Sequence, residues 1–227
     1  TVPTPIDSSK NPILEPLKSA TTTIANALLK KHQEGLDDKR SIIIYESTVF
    51  PGATEEICIP IIEQITNLKV NDDFNYGYSP ERINPGDKVN KLKSIKKITS
   101  GNNESSKVWI DQLYSSIIEA GTFSVSSIKT AEAAKIIENT QRDINIALIN
   151  EFALIFRRMG INTKEVIDAA STKWNFIKLF PGLVGGHCIG VDPYYLTYKS
   201  KEVGYLPNLI ITARKVNDSM GGNIVKE

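Results

Sequence analysis

The chain has 227 residues, of which 41% are apolar and 23% charged, as in an ordinary globular protein. Its 27 basic and 26 acidic residues leave a net charge of +1, so we expect neither nucleic acid nor a membrane surface as a partner. No apolar run reaches the roughly 20 residues of a membrane-spanning helix. Two cysteines without a CxxC pair and only two histidines fit no structural metal site. They predict reduced thiols in a cytoplasmic protein.

Apolar periodicity in the first half of the chain predicts strands that alternate with helices. The helices are expected at residues 12–34, near 54–65 and at 104–119, and the strands at 41–45, 74–78, 97–100 and 122–125. This alternation predicts a parallel sheet flanked by helices. Polar loops follow residues 45, 78 and 100, and we expect all three at one edge of the sheet.

After residue 126 the pattern becomes entirely helical. One long helix is expected at 129–159, followed by helices at 163–170, 194–202 and 207–220. The predicted fold is therefore an α/β region followed by an all-α region. The chain starts without methionine and stops inside an expected helix, so we expect a piece of a longer protein.

A cysteine with glycines before it stands out in residues 185–193, with the sequence GGHCIGVDP. Gly185 and Gly186 allow tight turns, so the thiol of Cys188 can come close to a substrate. Asp192 is a candidate proton acceptor four residues later. The alternative is that Cys188 is simply a small buried apolar side chain.

Two further interpretations of this segment are weaker. A Cys–His hydrolase would need His187 within hydrogen-bond reach of Cys188, and adjacent side chains usually diverge. A metal site from His187, Cys188 and Asp192 matches no common ligand spacing. Neither GxGxxG nor a Walker motif occurs in the chain, so it contains no complete dinucleotide site of its own.

Lys135 and Asn139 are four residues apart on the long predicted helix and share one face. An ammonium and a carboxamide placed in this way can both donate to an oxygen that carries negative charge. The alternative is a solvated helix face. The same alternative applies to the charged neighbours Glu132, Glu138 and Arg142.

Polar residues also follow the first two predicted strands. Thr48 lies where open α/β sheets place ligands, and Thr54 with the amides after it can cap a helix and favour an anion. Glu81 presents a carboxylate at the same edge. Alternatively, Glu81 pairs with Arg82 or caps a turn.

Five segments taken together resemble the UDP-glucose/GDP-mannose dehydrogenase family, and within it the UDP-N-acetylhexosamine 6-dehydrogenase branch. They are TVPTP (1–5), ESTVFPGAT (46–54), SPERINPG (79–86), AAKIIENT (133–140) and GGHCIGVDPYY (185–195). The resemblance runs in order along essentially the whole chain. It implies that residues 1–126 are the later part of a Rossmann-type NAD-binding domain without its first βαβ unit. Residues 127–220 would be a helical middle domain for dimerisation, and 221–227 the start of a connection to a nucleotide-binding domain.

The implied activity is oxidation of a sugar C6 alcohol to a uronic acid, by removal of four electrons with two NAD⁺, for surface polysaccharide. The resemblance makes Cys188 the nucleophile that forms a thiohemiacetal and then a thioester. It implies that Lys135 and Asn139 stabilise the developing oxyanion. Asp192 and Glu81 would accept and return the protons. The isolated chain is expected to be inactive.

The resemblance also implies binding residues. Thr48 would orient the catalytic water, and the cofactor contacts would be Pro3, Thr4, Ser47, Thr48 and Glu81. The substrate contacts would be Arg82, Lys135, Asn139, Lys173, Gly185, Gly186 and Arg214. Lys173 and Arg214 are placed near the diphosphate, with a solvated surface cation as the alternative for each.

Two departures point away from UDP-glucose. Val191 stands where UDP-glucose enzymes usually carry lysine, and Pro85 where they carry a second glutamate. Gly190 and the segment 173–176 favour a UDP-N-acetylhexosamine. UDP-glucose, UDP-ManNAc and GDP-mannose stay open as substrates, and a non-catalytic dimerisation module stays open as another class of function.

Overall fold

The computed structural model describes residues 1–36, 41–83, 86–186 and 188–225. The chain divides into two compact units, Thr1–Ile136 and Ile137–Glu227. We call them the sheet unit and the helical unit. The boundary lies inside a long helix, ten residues beyond the end of the domain expected at 126.

The elements match the periodicity of the sequence closely. The sheet unit contains α1 (Glu15–Gln33), β1 (Ser41–Tyr45), α2 (Ile59–Thr66), β2 (Phe74–Tyr78), β3 (Lys97–Gly101), α3 (Glu104–Ser115) and β4 (Thr122–Ser124). A π-helical turn at Thr54–Cys58 leads into α2, and a 3₁₀ turn at Leu92–Ser94 precedes β3. Helix α4 (Ile128–Arg158) continues from this unit into the next.

The described strands form one sheet in the order β1-β2-β3-β4. Strands β1 and β2 are parallel, with Ser41 opposite Phe74, and β3 and β4 are parallel as well. However, β2 and β3 are antiparallel, with Tyr78 opposite Ser100. The mostly parallel sheet and the helices after it confirm the predicted fold class, but the all-parallel order is wrong.

The reversal of β3 moves one predicted loop to the other edge of the sheet. Asn102 and Asn103, which follow β3, donate side-chain hydrogen bonds to Asn71 and Asn75 near the start of β2. The expectation that the loop after residue 100 joins the other two is therefore wrong. The start of β3 takes its place at the edge where β1 and β2 end.

Helix α1 contributes one part of the core of the sheet unit. Leu17, Ala25 and Leu28 of α1 are buried at helical spacing. The hydroxyl groups of Thr21 and Tyr45 lie 3.1 Å apart beneath them. Cys58 is buried here too, and burial raises its pKa to about 11, which makes it a structural thiol.

The helical unit contains the second part of α4, α5 (Thr163–Ala170), α6 (Asp192–Glu202) and α7 (Asn208–Val225). A buried polar network connects α4 and α7. Arg214 Nη1 donates to Asp143 Oδ1 at 2.5 Å, and Asn217 Nδ2 donates to the same oxygen at 2.7 Å. Asn150 Nδ2 donates to Asn217 Oδ1 at 2.9 Å. None of the helices in the described ranges is long and apolar enough to cross a membrane.

Candidate active site

Three segments meet at the edge of the sheet where β1 and β2 end. The amide of Val2 donates to Ser47 Oγ at 2.7 Å, and the amide of Glu81 donates to the carbonyl oxygen of Glu46 at 3.3 Å. The residues predicted to bind the cofactor belong to these segments: Pro3, Thr4, Ser47, Thr48 and Glu81. Nucleotides bind at this edge of open α/β sheets, so these residues fit part of a nucleotide site.

Glu81 is held by its own turn. Its Oε1 accepts hydrogen bonds from the amides of Arg82 and Ile83, each at 2.7 Å. The turn-capping alternative is therefore realised, but it uses only one carboxylate oxygen. The other, Oε2, lies 3.6 Å from Lys97 Nζ, which is an ion-pair contact rather than a hydrogen bond.

Lys97 and Glu46 were not predicted at this edge. Lys97 is only 4% exposed, and its Nζ lies 3.1 Å from Glu46 Oε1. The hydroxyl group of Tyr114 donates to the same Glu46 oxygen at 2.6 Å. Burial, together with this carboxylate, raises the pKa of Tyr114. The tyrosine ring also lies under the Lys97 ammonium, 5.1 Å from Nζ to the ring centroid.

The helix that follows β1 is capped by a carboxylate from α4. Glu132 Oε2 accepts from the Gly52 amide at 2.5 Å, and Oε1 accepts from the amide and hydroxyl of Thr54 at 3.0 and 2.7 Å. Gly52 has φ +99°, a conformation that glycine adopts readily. Glu132 is fully buried, so its assignment to a solvated face is wrong, and burial raises its pKa to about 7.

Lys135 and Asn139 lie on α4 at either side of the unit boundary. Lys135 is 8% exposed and Asn139 is 7% exposed. Neither is on a solvated face, so that alternative is excluded for this pair. Arg142, one turn further on, is exposed as expected.

In the helical unit the structure brings Asn139 and Asp192 together. Asn139 Nδ2 donates to Asp192 Oδ2 at 2.5 Å, and Asp192 is 2% exposed. Asp192 begins α6, where the helix dipole favours a carboxylate. A buried carboxylate with an amide donor is therefore fixed at the start of this helix.

Cys188 lies in the turn that leads into α6. Its carbonyl oxygen accepts hydrogen bonds from the amides of Val191 and Asp192, at 3.2 and 2.9 Å. Gly186 has φ +80°, the left-handed conformation that glycine tolerates. The side chain of Cys188 is exposed, which excludes the buried-thiol interpretation.

The other predicted residues have different surroundings. Lys173 and Gly185 are exposed, whereas Arg214 is buried in its ion pairs with Asp143 and Asp218, so it is not a surface cation. His187 lies outside the described residues, and Pro85 does too. Across the described ranges no group of three His, Cys, Asp or Glu side chains could hold a metal ion.

Comparison with known proteins identifies the family. Residues 1–118 match the NAD binding domain of the UDP-glucose/GDP-mannose dehydrogenase family, and residues 129–219 match its central domain. The chain belongs to this family. The first match makes NAD the cofactor of the sheet unit.

Similar proteins come from bacteria and archaea. The chain is 57% identical over its whole length to UDP-N-acetyl-D-glucosamine 6-dehydrogenase of Pseudomonas aeruginosa, and covers 52% of that protein. It is 55% identical to the Salmonella typhi protein of the same name, and covers 51% of it. Among solved structures, the UDP-D-ManNAc dehydrogenase of Pyrococcus horikoshii matches with a TM-score of 0.85 and 34% identity, over 100% of this chain and 51% of that one. The chain thus spans about half the length of the curated relatives it matches.

Proposed function

We propose that this chain is part of an NAD-dependent 6-dehydrogenase that oxidises the C6 alcohol of a UDP-N-acetylhexosamine to a carboxylate. Two relatives with 57% and 55% identity are named as enzymes for UDP-N-acetyl-D-glucosamine, which makes that sugar the first to test. UDP-ManNAc, UDP-glucose and GDP-mannose are the alternative substrates. The product, a uronic acid, suits the synthesis of surface polysaccharide in the cytoplasm.

The observation that carries this proposal is the arrangement at the start of α6. An exposed thiol at Cys188 precedes a buried carboxylate at Asp192, and Asn139 donates to that carboxylate. A nucleophile with a carboxylate and an amide donor on nearby turns provides the groups that covalent oxidation of an aldehyde needs.

The proposed chemistry proceeds through sulfur. When bound, NAD⁺ would supply the acceptor for one hydride in each of the two oxidations. After the first, the sulfur of Cys188 attacks the C6 aldehyde and forms a thiohemiacetal. Loss of the second hydride and of the hydroxyl proton converts this to a thioester. Water then attacks the thioester carbon, which releases the carboxylate and returns the proton to the thiol.

The remaining roles follow from charge. Lys135 and Asn139 stabilise the negative charge that develops on the C6 oxygen, because donors fixed in a buried site need little reorganisation. Asp192 and Glu81 take and return protons. Thr48, at the end of β1, orients the attacking water.

The proposed binding residues are those that the family resemblance implies. In the sheet unit, the segment 1–5 and the loops with Ser47 and Glu81 contact the cofactor. The proposed substrate contacts in addition to Lys135 and Asn139 are Arg82, Lys173, Gly185, Gly186 and Arg214. Of these, Arg214 is buried against Asp143, so its contact with diphosphate stays a prediction.

We further propose the domain arrangement of the family and a homodimer. Residues 1–126 act as the NAD-binding part, 127–220 as the middle domain and 221–227 as the start of a connection. The end of α4 supports an interface, because it exposes the large apolar side chains of Leu148, Phe152 and Ile155, and Met159 directly after it is exposed as well. Light scattering on the full-length protein tests this, and a strict monomer would contradict it.

The activity is tested by replacing Cys188 with serine in the full-length protein. The variant should form no carboxylate, because an oxygen nucleophile of high pKa does not replace the thiolate. NADH formation and product mass are the measurements. Cys58→Ala, which changes the buried thiol of the sheet unit, is the matched control and should keep its activity. Unchanged turnover in Cys188→Ser would contradict the covalent route.

A panel of UDP-GlcNAc, UDP-GalNAc, UDP-ManNAc, UDP-glucose and GDP-mannose identifies the substrate. The proposal expects the highest kcat/KM with a UDP-N-acetylhexosamine. A preference for UDP-glucose or GDP-mannose would contradict the assignment to this branch but keep the reaction class.

A further inference from the structure

The sheet unit buries one ammonium group at its functional edge. Lys97 is 4% exposed, yet its Nζ is within ion-pair distance of two carboxylates, Glu46 at 3.1 Å and Glu81 at 3.6 Å. The ring of Tyr114 lies under it at 5.1 Å. Two acids and an aromatic face thus surround a single cation.

The direction of β3 explains why a lysine reaches this edge. Because β3 runs antiparallel to β2 with Tyr78 opposite Ser100, its first residue lies beyond the end of β2, level with the loop that follows Tyr78. Lys97 is that first residue. A parallel β3 would have placed it at the opposite edge, away from Glu46 and Glu81.

The two carboxylates are anchored differently. Glu46 also accepts the hydroxyl of Tyr114 at 2.6 Å, so it has a firm second partner. Glu81 gives one oxygen, Oε1, to two backbone amides, and its other oxygen faces Lys97. The two amides therefore hold one oxygen of Glu81, and the Lys97 ammonium adds an ion-pair contact to the other, Oε2.

Stability alone is a poor reason for this arrangement. Removing a lysine from water costs several kcal/mol, and ion pairs offset this cost only in good geometry. An apolar residue of similar size would serve the core at least as well. Lys97 lies between Glu46, which Tyr114 also holds, and Glu81, the proposed proton carrier. Its burial is better explained by its effect on Glu81.

We propose that Lys97 is a positioning residue, which together with the turn amides on Oε1 holds the Glu81 carboxylate in one orientation at the sheet edge, while Glu46 and Tyr114 hold Lys97 in turn. The inference rests on the proposed function, in which Glu81 handles a proton. Lys97 itself does not touch the substrate.

The test compares four variants of the full-length protein. Lys97→Met removes the charge and keeps the length of the side chain. Glu46→Gln/Lys97→Met removes the charge of the fixed acid as well, so it restores the local charge balance without restoring the hold on Glu81. Lys93→Met is the matched control, because Lys93 pairs with Glu119 at the surface with its side chain 65% exposed.

Lys97→Met should lower kcat about 10- to 100-fold with little change in the KM for the UDP-sugar, since misplacement of a reacting group by about 1 Å has effects of this size. The double variant should regain the wild-type unfolding temperature and keep the low kcat. Lys97→Arg, which keeps the cation, should regain part of the kcat. Lys93→Met should behave as wild type.

Wild-type kcat in the double variant would overturn the inference, because Lys97 would then only balance the charge of Glu46. Wild-type kcat in Lys97→Met would overturn it as well. A crystal structure of Lys97→Met provides a readout that needs no activity: Glu81 should leave its position, and an unmoved Glu81 overturns the inference. Absence of NAD⁺-dependent oxidation in the wild type would instead contradict the proposed function, and the position of Glu81 would still decide the role of Lys97.

Discussion

Each unit of the chain buries one basic side chain between two carboxylates, but the supporting structure differs. Lys97 in the sheet unit faces Glu46 and Glu81, which come from two loops at the end of the sheet. Arg214 in the helical unit pairs with Asp143 on α4 and with Asp218 on its own helix. The first set joins loops that carry proposed binding residues, and the second joins two helices.

A buried cation between two carboxylates can therefore orient a side chain in one place and stabilise helix packing in another. Arg214 belongs to a network in which Asn217 and Asn150 add further hydrogen bonds between regular elements, so its removal should act on folding. Lys97 has fewer hydrogen bonds, and its carboxylate partners lie on the loops that follow β1 and β2. Its removal should act mainly on the orientation of Glu81.

The largest effect on stability is expected for Arg214→Met. Asp143 is fully buried, and loss of its cation should lower the free energy of unfolding by about 3–5 kcal/mol. Urea unfolding measures this. In Asp143→Leu/Arg214→Met no buried charge remains in that pair, so most of the loss should be recovered.

The exposed neighbour Lys215 supplies the control for this test. Lys215 is exposed on α7, and its replacement by methionine should change the free energy of unfolding by less than about 0.5 kcal/mol. A loss of similar size in Lys215→Met and Arg214→Met would remove the contrast between the two units.

Glu132→Gln should have an intermediate effect on stability. It extends the comparison to a buried carboxylate whose described partners are backbone amides and a hydroxyl group rather than a cation. The amide group of glutamine must face a donor, either the Gly52 amide or the donors of Thr54. One of them then loses its acceptor, which should cost about 1–3 kcal/mol. Thermal and urea unfolding check the value.

The difference in stability between the wild type and Glu132→Gln should change with pH in a definite direction. Burial raises the pKa of Glu132 from 4.5 to about 7, so the folded state binds this proton more tightly than the unfolded state does. The stabilising contribution is complete below the unfolded pKa and is lost as the pH rises through about 7. The wild type should therefore exceed Glu132→Gln in stability by more at about pH 5 than at about pH 8. The reverse trend would contradict the raised pKa.

The smallest effect is expected for Tyr114→Phe. The variant loses the hydroxyl that donates to Glu46 but keeps the ring under Lys97. It should lower the free energy of unfolding by about 1 kcal/mol and leave kcat close to wild type. Tyr205→Phe, at an exposed tyrosine of the helical unit, is the matched control. A fall in kcat as large as that of Lys97→Met would mean that the Tyr114–Glu46 pair, rather than Lys97, orients Glu81.

Local patterns predicted the elements well because helix and strand periods are local properties. The strand at Ser41–Tyr45 and the helix at Thr163–Ala170 have the predicted bounds. The thiol of Cys188 is exposed, as approach to a substrate requires, and its role stays a prediction.

Strand direction and distant contacts could not be read in the same way. The antiparallel β3 was missed although one signal was available: the connection after Tyr78 has no apolar helical pattern, and parallel neighbours usually need a crossover helix. The burial of Glu132 had no local signal, because its donors, Gly52 and Thr54, lie about 80 residues earlier in the chain. The same holds for Lys97, whose partners come from the loops after β1 and β2 and from α3.

The hydrogen bonds of Glu132 should restrict sequence variation more strongly at the acceptor than at the donors. Two of its three donors are backbone amides, which every residue except proline possesses, so most exchanges at position 54 keep an amide donor in place. The acceptor depends on one side chain alone. Sequence variation among relatives should therefore be wide at the donor side of this contact, where backbone conformation permits, and narrow at position 132.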